Sequence, residues 1–190
     1  MPVSHKLRHA RDFPKAIVVM GVAASGKSTV GALLAKQIGA EYTDADPFHP
    51  PANIAKMASG TPLTDADRWP WLQTCANYLA VNVATGTPVV LGCSALKKVY
   101  RDVLRQAGSV VFVHLNGAPD LLAERISQPR IDPITGELGG HYMKPAMLQS
   151  QLDTLEPLTR QERGITVNID QTPEQIVADI LASLPDRCLG

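Results

Sequence analysis

Short apolar runs alternate along the chain with longer stretches in which apolar residues recur at helical spacing. A run of strand length predicts a buried strand, and apolar positions three and four apart predict one buried face of a helix. The strand-like runs are Ala16–Met20, Glu41–Thr43, Val89–Gly92, Val110–Leu115 and Ile165–Ile169. The helical stretches lie at 30–38, 71–82, 121–126 and 176–184. This alternation predicts a three-layer α/β fold, in which a five-stranded parallel sheet carries helices on both faces.

The segment between the first strand and the first helix reads Gly21-Val-Ala-Ala-Ser-Gly-Lys-Ser28 and matches the phosphate-binding loop G-x-x-x-x-G-K-[ST]. Such a loop points backbone N–H groups at phosphate oxygens, and the following helix adds a positive field. Lys27 would reach the β- and γ-phosphates and serve catalysis, while the Ser28 hydroxyl would ligate Mg²⁺. An ordinary glycine-containing turn is the alternative, which the flanking strand and helix disfavour. The nucleotide-binding residues expected here are Gly21, Val22, Ala23, Ala24, Ser25, Gly26, Lys27, Ser28 and Thr29.

Two irregular stretches, rich in proline, glycine and polar residues, follow elements that would end near this loop. They span 44–70, with only a short helix expected at Asn53–Ala58, and 128–144, with several turn signals. Long irregular stretches inside a compact domain are commonly functional or disordered. A mobile flap over nucleotide would need cations and glycine hinges, which the second stretch offers.

Two carboxylates follow the second predicted strand, where an open α/β sheet binds its ligands. Asp44 and Asp46 lie two residues apart and would point the same way on extended backbone. One could hold a Mg²⁺-bound water while the other accepts a hydrogen bond from a substrate hydroxyl. The alternative is that Asp44 ends the strand and Asp46 begins a turn, and the neighbouring phosphate loop favours the site.

Cationic and imidazole donors accompany these carboxylates, a mixture that suits a small polyhydroxylated acid. His49, Lys56 and Arg68 lie in the first irregular stretch, although Lys56 could be solvated and Arg68 could pair with a nearby aspartate. The third strand ends in small residues that would let a substrate approach. Ser94 lies there, and Lys97 and Arg101, one helical turn apart, could present a paired cationic face.

Composition narrows the class of protein. Eighteen basic residues balance eighteen acidic ones, and 45% of residues are hydrophobic. These values indicate a globular protein with no nucleic-acid or membrane partner. Three cysteines without metal-ligand spacing indicate reduced thiols, and no signal peptide or spanning run is visible, so we expect a cytoplasmic protein. Residues 1–14 are expected to form a solvated basic tail before one domain at 15–190, with organellar targeting left open.

From about Ala16 to Leu184 the sequence resembles the P-loop gluconokinases of bacteria and eukaryotes. The pieces that carry the resemblance are Met20–Ser28, Asp44–Pro50, Asn53, Lys56-Met57, Gly60, Pro62–Asp65, Asp67–Leu72, Cys93–Lys98, Tyr100–Asp102, Gly140–Met143 and Leu148–Pro157. The resemblance implies a nucleoside-monophosphate-kinase-like fold with a mobile lid at about 128–144, and commonly a homodimer. It implies transfer of the ATP γ-phosphoryl group to the 6-hydroxyl of D-gluconate, which feeds 6-phosphogluconate into the pentose phosphate pathway.

The same resemblance implies roles for individual residues. Asp44 would lie on the Mg²⁺ side, and Asp46 would orient the attacking hydroxyl as the second catalytic residue. Arg125 would stack on adenine, and Arg130 would contact phosphate. The remaining residues implied are His141 at the substrate and Asp170 in the adenine pocket. The chain departs from the family pattern by an insertion at 131–139, which is similar to the longer lid of adenylate kinases.

Two other functions stay open on the sequence. The same fold could phosphorylate shikimate, another sugar acid or a nucleoside monophosphate, although paired arginines for a phosphorylated acceptor are missing from the first irregular stretch. A nucleotide-binding switch is the second, but the chain has no Asn-Lys-x-Asp motif for reading guanine.

Overall fold

A computed structural model describes residues 13–128 and 145–184 of the 190-residue chain. Five strands and seven α-helices alternate along these residues. In chain order they are β1 (Ala16–Met20), α1 (Lys27–Ile38), β2 (Glu41–Asp44), α2 (Pro51–Ala58), α3 (Asp65–Thr85), β3 (Val89–Gly92), α4 (Lys98–Leu104), β4 (Val110–Asn116), α5 (Pro119–Ser127), α6 (Pro145–Thr154), β5 (Gly164–Asn168) and α7 (Pro173–Ser183). Single 3₁₀ turns follow β2, at Asp46–Phe48, and α4, at Arg105–Ala107.

The five strands form one parallel sheet in the order β2-β3-β1-β4-β5. The central strand β1 is completely buried, because helices cover both faces of the sheet. Ile17 and Val19 pack against α1 and α7 on one face, and Val18 and Met20 pack against α3 and α4 on the other. The predicted α/β class is thus confirmed. Since all strands are parallel, their carboxyl ends lie on the same side of the domain. The phosphate loop, Asp44 and Ser94 are therefore found together at that end of the sheet.

The third helix begins earlier than the sequence pattern predicts. Residues 44–70 were expected to be irregular except for one short helix, but α3 starts at Asp65 and includes Pro70 on its exposed side. A capping box explains this start, since the Thr64 hydroxyl accepts the Asp67 N–H and the Asp67 carboxylate accepts the Thr64 N–H. The capping hydrogen bonds mark the start of the helix at Asp65, and the helix continues through Pro70, which has no N–H to donate.

The half-buried ring of Tyr42 fits against two glycines that flank β2. A Cβ on Gly31 of α1 would lie 2.5 Å from the ring, and one on Gly92 would lie 2.5 Å from the phenol oxygen. Glycine at both positions therefore lets β2 approach α1 and β3 closely enough to bring the phenol oxygen beside Asp44.

Phe13, the first described residue, already packs into the core. The division into a tail at 1–14 and a domain at 15–190 stays a prediction, and most of the expected lid lies outside the described residues. None of the described helices is long and apolar enough to cross a bilayer.

Candidate active site

The phosphate-binding motif forms a tight loop between β1 and α1. Gly21, Ala24 and Gly26 have φ angles of 147°, 63° and 92°. Positive angles of this size favour glycine, which occupies two of the three positions. A Cβ on Gly21 would lie 2.8 Å from the Leu115 carbonyl oxygen, so a side chain there would clash with backbone. The loop is buried up to Ser25, while its last residues are progressively more exposed.

The loop lysine lies over the turn it belongs to. The Lys27 ammonium donates to the carbonyl oxygens of Gly21 at 3.1 Å and Val22 at 2.9 Å.

Ser25 of the same loop is completely buried, and its hydroxyl has no hydrogen-bond partner among the described residues. A buried hydroxyl in such a position is expected to have a polar partner, and a phosphate oxygen would provide one.

The structure brings Ser28 and Asp44 together, as the sequence predicts. The Ser28 hydroxyl donates to Asp44 Oδ2 at 3.3 Å, and the Tyr42 hydroxyl lies 3.5 Å from the same oxygen. Burial raises the pKa of Tyr42, which therefore remains a neutral donor beside the carboxylate. Sequence reasoning missed Tyr42, although its position two residues before Asp44 places it on the same side of β2.

Asp46 does not continue the extended backbone of β2. It begins a 3₁₀ turn, and its N–H donates to Asp44 Oδ1 at 3.0 Å. The condition for the two carboxylates to point the same way, an extended backbone, is therefore not met, and Asp46 begins a turn as the alternative held. The turn nevertheless leaves Asp46 exposed beside the Ser28–Asp44 pair, where a substrate hydroxyl could reach it.

A hydroxyl and a carboxylate at this distance fit a magnesium ion. Mg²⁺ prefers hard oxygen ligands and usually takes one or two from protein, with waters and phosphates completing its shell. Ser28 and Asp44 supply that number. Over residues 13–128 and 145–184 no cluster of three or more His, Cys, Asp or Glu side chains could hold a metal ion, so waters and phosphate oxygens would complete this site.

His49 is held rigidly in the wall of the site. Its ring stacks on Trp71, with centroids 4.2 Å apart and planes 13° from parallel, and its Nδ1 lies 3.2 Å from Asn53 Nδ2. Burial, with a contribution from the Arg68 charge, lowers the pKa of His49 to about 4. His49 is thus neutral at pH 7 and offers a neutral imidazole, not a cation.

Three predicted cations lie around the start of α3, in different settings. Lys56 pairs with Asp67 at 2.7 Å, and Lys97 donates to both oxygens of Asp65 at 2.9 Å. Arg68 has no ion pair with a described residue, so the alternative in which it pairs with Asp65 or Asp67 is not found. Its guanidinium carbon lies 5.8 Å from the centre of the Tyr100 ring.

Tyr100 connects these groups. Its hydroxyl donates to Asp65, its ring lies 5.5 Å from the Lys97 ammonium, and Trp69 packs edge-on against it. Trp71 is buried in the core, whereas Trp69 is 40% exposed.

The turn after β3 lies directly against the phosphate loop. The Gly21 N–H donates to the Ser94 carbonyl oxygen at 3.3 Å, which confirms that these segments are neighbours. Ala95 has a φ of 44°, so the backbone of this turn is strained.

Arg101 does not face the site, contrary to the prediction that it forms a cationic pair with Lys97. Its side chain is completely buried, and it forms an ion pair with the equally buried Glu162. Its guanidinium also donates to four carbonyl oxygens, those of Ala95, Leu96, Glu156 and Pro157. With its hydrogen bonds used inside the protein, Arg101 supports the strained turn and has no surface for a substrate.

At the other end of the site, Arg125 and the residues after β5 come together. The Arg125 guanidinium donates to the Ile169 carbonyl oxygen at 2.8 Å, next to the exposed Asp170. The expected adenine-binding residues therefore lie side by side. Arg130 and His141 fall outside the described residues.

Comparisons with known proteins agree with this geometry. A family model for shikimate kinase matches residues 23–185. The probable gluconokinase of Mus musculus is 42% identical, over 91% of this chain and 99% of its own length. The gluconokinase of Gluconobacter oxydans is 40% identical, over 88% and 90%. The crystal structure of a gluconokinase from Sinorhizobium meliloti 1021 is 45% identical with a TM-score of 0.77, covering 90% of this chain and 92% of that one.

A parallel sheet with a phosphate loop after β1, and a match to the shikimate kinase model over most of the chain, define a P-loop kinase. The particular family follows from relatives that are about 40% identical over nearly their whole length. The chain belongs to the gluconokinase family.

Proposed function

We propose that this protein transfers the γ-phosphoryl group of ATP to the 6-hydroxyl of D-gluconate. The observation that carries the proposal is that the phosphate-binding loop contacts the two segments expected to bind the acceptor, one after β2 and one after β3. Its Ser28 lies 3.3 Å from Asp44 after β2, and its Gly21 lies 3.3 Å from Ser94 after β3. A phosphate held by this loop would therefore face side chains suited to a polyhydroxylated acid, and the similarity to gluconokinases supports gluconate as that acid.

The donor nucleotide would lie along the edge of the sheet. The backbone of Gly21–Thr29 and the Lys27 ammonium would hold the phosphates. Arg125 and Asp170 would border the adenine, and Arg130 would contact phosphate from the segment beyond α5. The Ser28 and Asp44 oxygens would hold Mg²⁺, which neutralises phosphate charge when it is bound.

The acceptor would lie between the first irregular stretch and the turn after β3. Arg68 is the best candidate for the gluconate carboxylate, because among the predicted acceptor-side cations Lys56, Arg68, Lys97 and Arg101 it is the one without an ion pair or hydrogen bond to a described carboxylate. Lys97 uses two N–H bonds on Asp65 and retains a third for a substrate oxygen. The other groups proposed to bind gluconate hydroxyls are His49, Lys56, Ser94 and His141.

Asp46 would place the attacking hydroxyl in line with the phosphoryl group. The new bond joins the 6-oxygen to phosphorus, the bond to the leaving ADP oxygen breaks, and the hydroxyl proton passes to the Asp46 carboxylate. Little covalent chemistry is required of the protein, because phosphoryl transfer relies on positioning and charge stabilisation. A homodimer and a cytoplasmic location stay predictions.

A coupled assay for ADP release, with gluconate, ATP and Mg²⁺, tests the proposal. We expect turnover with gluconate and none with shikimate or nucleoside monophosphates. Lys27→Met should lower kcat by about 10²-fold or more through loss of charge stabilisation, with an unchanged circular dichroism spectrum. Turnover with another acceptor but not with gluconate would contradict the substrate, whereas slow hydrolysis that no acceptor accelerates would indicate a nucleotide switch.

A further inference from the structure

A glutamine side chain from α6 contacts the phosphate-binding loop directly. Gln151 Oε1 accepts a hydrogen bond from the Ala23 N–H at 2.6 Å. Because a backbone N–H can only donate, the amide oxygen must face the loop, and the Nε2 amide group is turned away from that N–H. No hydrogen bond joins this Nε2 group to a described residue. Gln151 therefore combines an acceptor fixed on the loop with two N–H donors that none of the described residues accepts.

The peptide group that donates to Gln151 also contacts the loop lysine. Lys27 Nζ lies 2.9 Å from the Val22 carbonyl oxygen, and this carbonyl and the Ala23 N–H belong to one peptide group. In a planar trans peptide the two groups point in opposite directions, so Lys27 and Gln151 bind its opposite edges. Hydrogen bonds in such a chain polarise one another. The glutamine is thus linked through a single peptide to the residue expected to hold the terminal phosphates.

The position of this peptide indicates which part of the nucleotide lies beside it. The expected adenine side is marked by Arg125, which contacts the end of the edge strand β5. The opposite side is marked by Ser94 after β3, whose carbonyl accepts the Gly21 N–H. A nucleotide that extends from β5 towards β3 would place its last phosphate near Gly21–Ala23. Gln151 contacts the loop at that end.

The helix that carries Gln151 is also attached to the acceptor side. Just beyond α6, the Glu156 N–H donates to the Leu96 carbonyl oxygen at 2.8 Å, and the Glu156 carboxylate accepts the Lys98 N–H. These bonds fix the end of the helix to the turn after β3. The Gln151 amide is therefore held in place relative to both the phosphate loop and the acceptor segment.

We propose that Gln151 binds the terminal phosphoryl group of the nucleotide, donating an Nε2–H hydrogen bond to one of its oxygens. The assignment rests on the proposed function only as far as nucleotide binding in the loop. A neutral amide would add specificity for a triphosphate without changing the charge of the site. Gln151 should thus distinguish ATP from ADP, which has no phosphate at that position.

Calorimetric titration of the full chain with Mg²⁺ and either ADP or a non-hydrolysable ATP analogue tests the assignment. Because a hydrogen bond to a charged group contributes about 1.5–3 kcal/mol, we expect Gln151→Ala to weaken analogue binding about tenfold or more. The affinity for ADP should change by less than about twofold, since only the terminal phosphate loses a partner. Gln151→Glu keeps an acceptor for Ala23 but replaces the donor with an anionic oxygen, so it should weaken analogue binding at least as much.

Gln149→Ala is the matched control. This glutamine lies on the same helix, but its amide donates to Asp153 on the exposed surface at 2.7 Å. It should leave the affinity for both nucleotides unchanged. Equal losses for ADP and the analogue in both Gln151 variants would mean that Gln151 only supports the loop, and unchanged binding of both would also overturn the assignment. If the unmodified chain bound neither nucleotide, the proposed function itself would fail, together with this assignment.

Discussion

Lys97 and Arg101 lie one helical turn apart, yet the fold gives them opposite surroundings. Lys97 pairs with Asp65 at the border of the site, where the Lys97 side chain is 29% exposed. Arg101 pairs with Glu162 where both side chains are completely buried. The comparison separates two uses of a cation: one remains within reach of a ligand, and the other holds the backbone that shapes the ligand's surroundings.

The largest effect should follow the loss of the buried cation. Arg101→Met would leave the Glu162 carboxylate and several carbonyl oxygens without a partner inside the protein. Breaking a buried pair on one side costs about 3–5 kcal/mol, so we expect a loss of that order in the free energy of unfolding. Urea denaturation followed by circular dichroism would measure it.

Arg105→Met provides the control for this substitution. Arg105 lies one turn further along, where its 40% exposed side chain approaches Asp102 at 3.4 Å. An exposed pair of this kind contributes less than about 1 kcal/mol. Similar losses in the two variants would contradict the distinction between buried and exposed arginines.

The difference between Lys97 and Arg101 also shows where sequence analysis succeeds and where it ends. The runs Ala16–Met20 and Val89–Gly92 were predicted with their observed bounds, because strands buried on both faces must be continuously apolar. The loop after β1 was predicted from a motif in which the spacing of the glycines, the lysine and the serine is the spacing that phosphate binding requires. In both cases the information lies within a few neighbouring residues.

The misplaced residues depend on distant partners. Arg101 was assigned to the substrate from its spacing to Lys97. Its actual partner, Glu162, lies 61 residues away and could not be recognised in the sequence. Gln151 received no role because its contact with Ala23 spans 128 residues. Neither pairing has a periodic pattern or a motif that marks it, so only the folded chain reveals it.

An intermediate effect should follow the loss of the site cation. Lys97→Met would remove a donor from the proposed gluconate subsite while leaving the core unchanged. We expect the KM for gluconate to rise about tenfold, and the free energy of unfolding to change by less than about 1 kcal/mol, since the Asp65 pair is partly exposed. Steady-state kinetics at saturating ATP would measure the first. An unchanged KM would remove Lys97 from the substrate site.

Acid should weaken the buried pair by a smaller amount. Burial would raise the pKa of Glu162, but hydrogen bonds from Arg101 and from Thr159 outweigh it, and the pKa lies below the usual 4.5. The ionised Glu162 carboxylate therefore stabilises the folded protein above about pH 4.5, and this contribution to the free energy of unfolding is lost as the pH falls below the ordinary carboxyl pKa. Glu162→Gln should be less stable at neutral pH and should lose less stability between pH 5 and 3. Equal acid sensitivity of the two proteins would contradict the role of this pair.

The smallest effect should come from Lys98, which lies between the two cations compared above. It pairs with Asp102 one turn away at 2.8 Å, and both side chains are 39% exposed. A solvent-exposed pair of this spacing contributes about 0.3–0.5 kcal/mol, so Lys98→Met should scarcely change the free energy of unfolding. The KM for gluconate should also stay unchanged, because the Lys98 ammonium is bonded to its own helix. If Lys98→Met raised that KM as much as Lys97→Met, the general positive charge of this segment would be attracting the substrate, and the specific position of Lys97 would not matter.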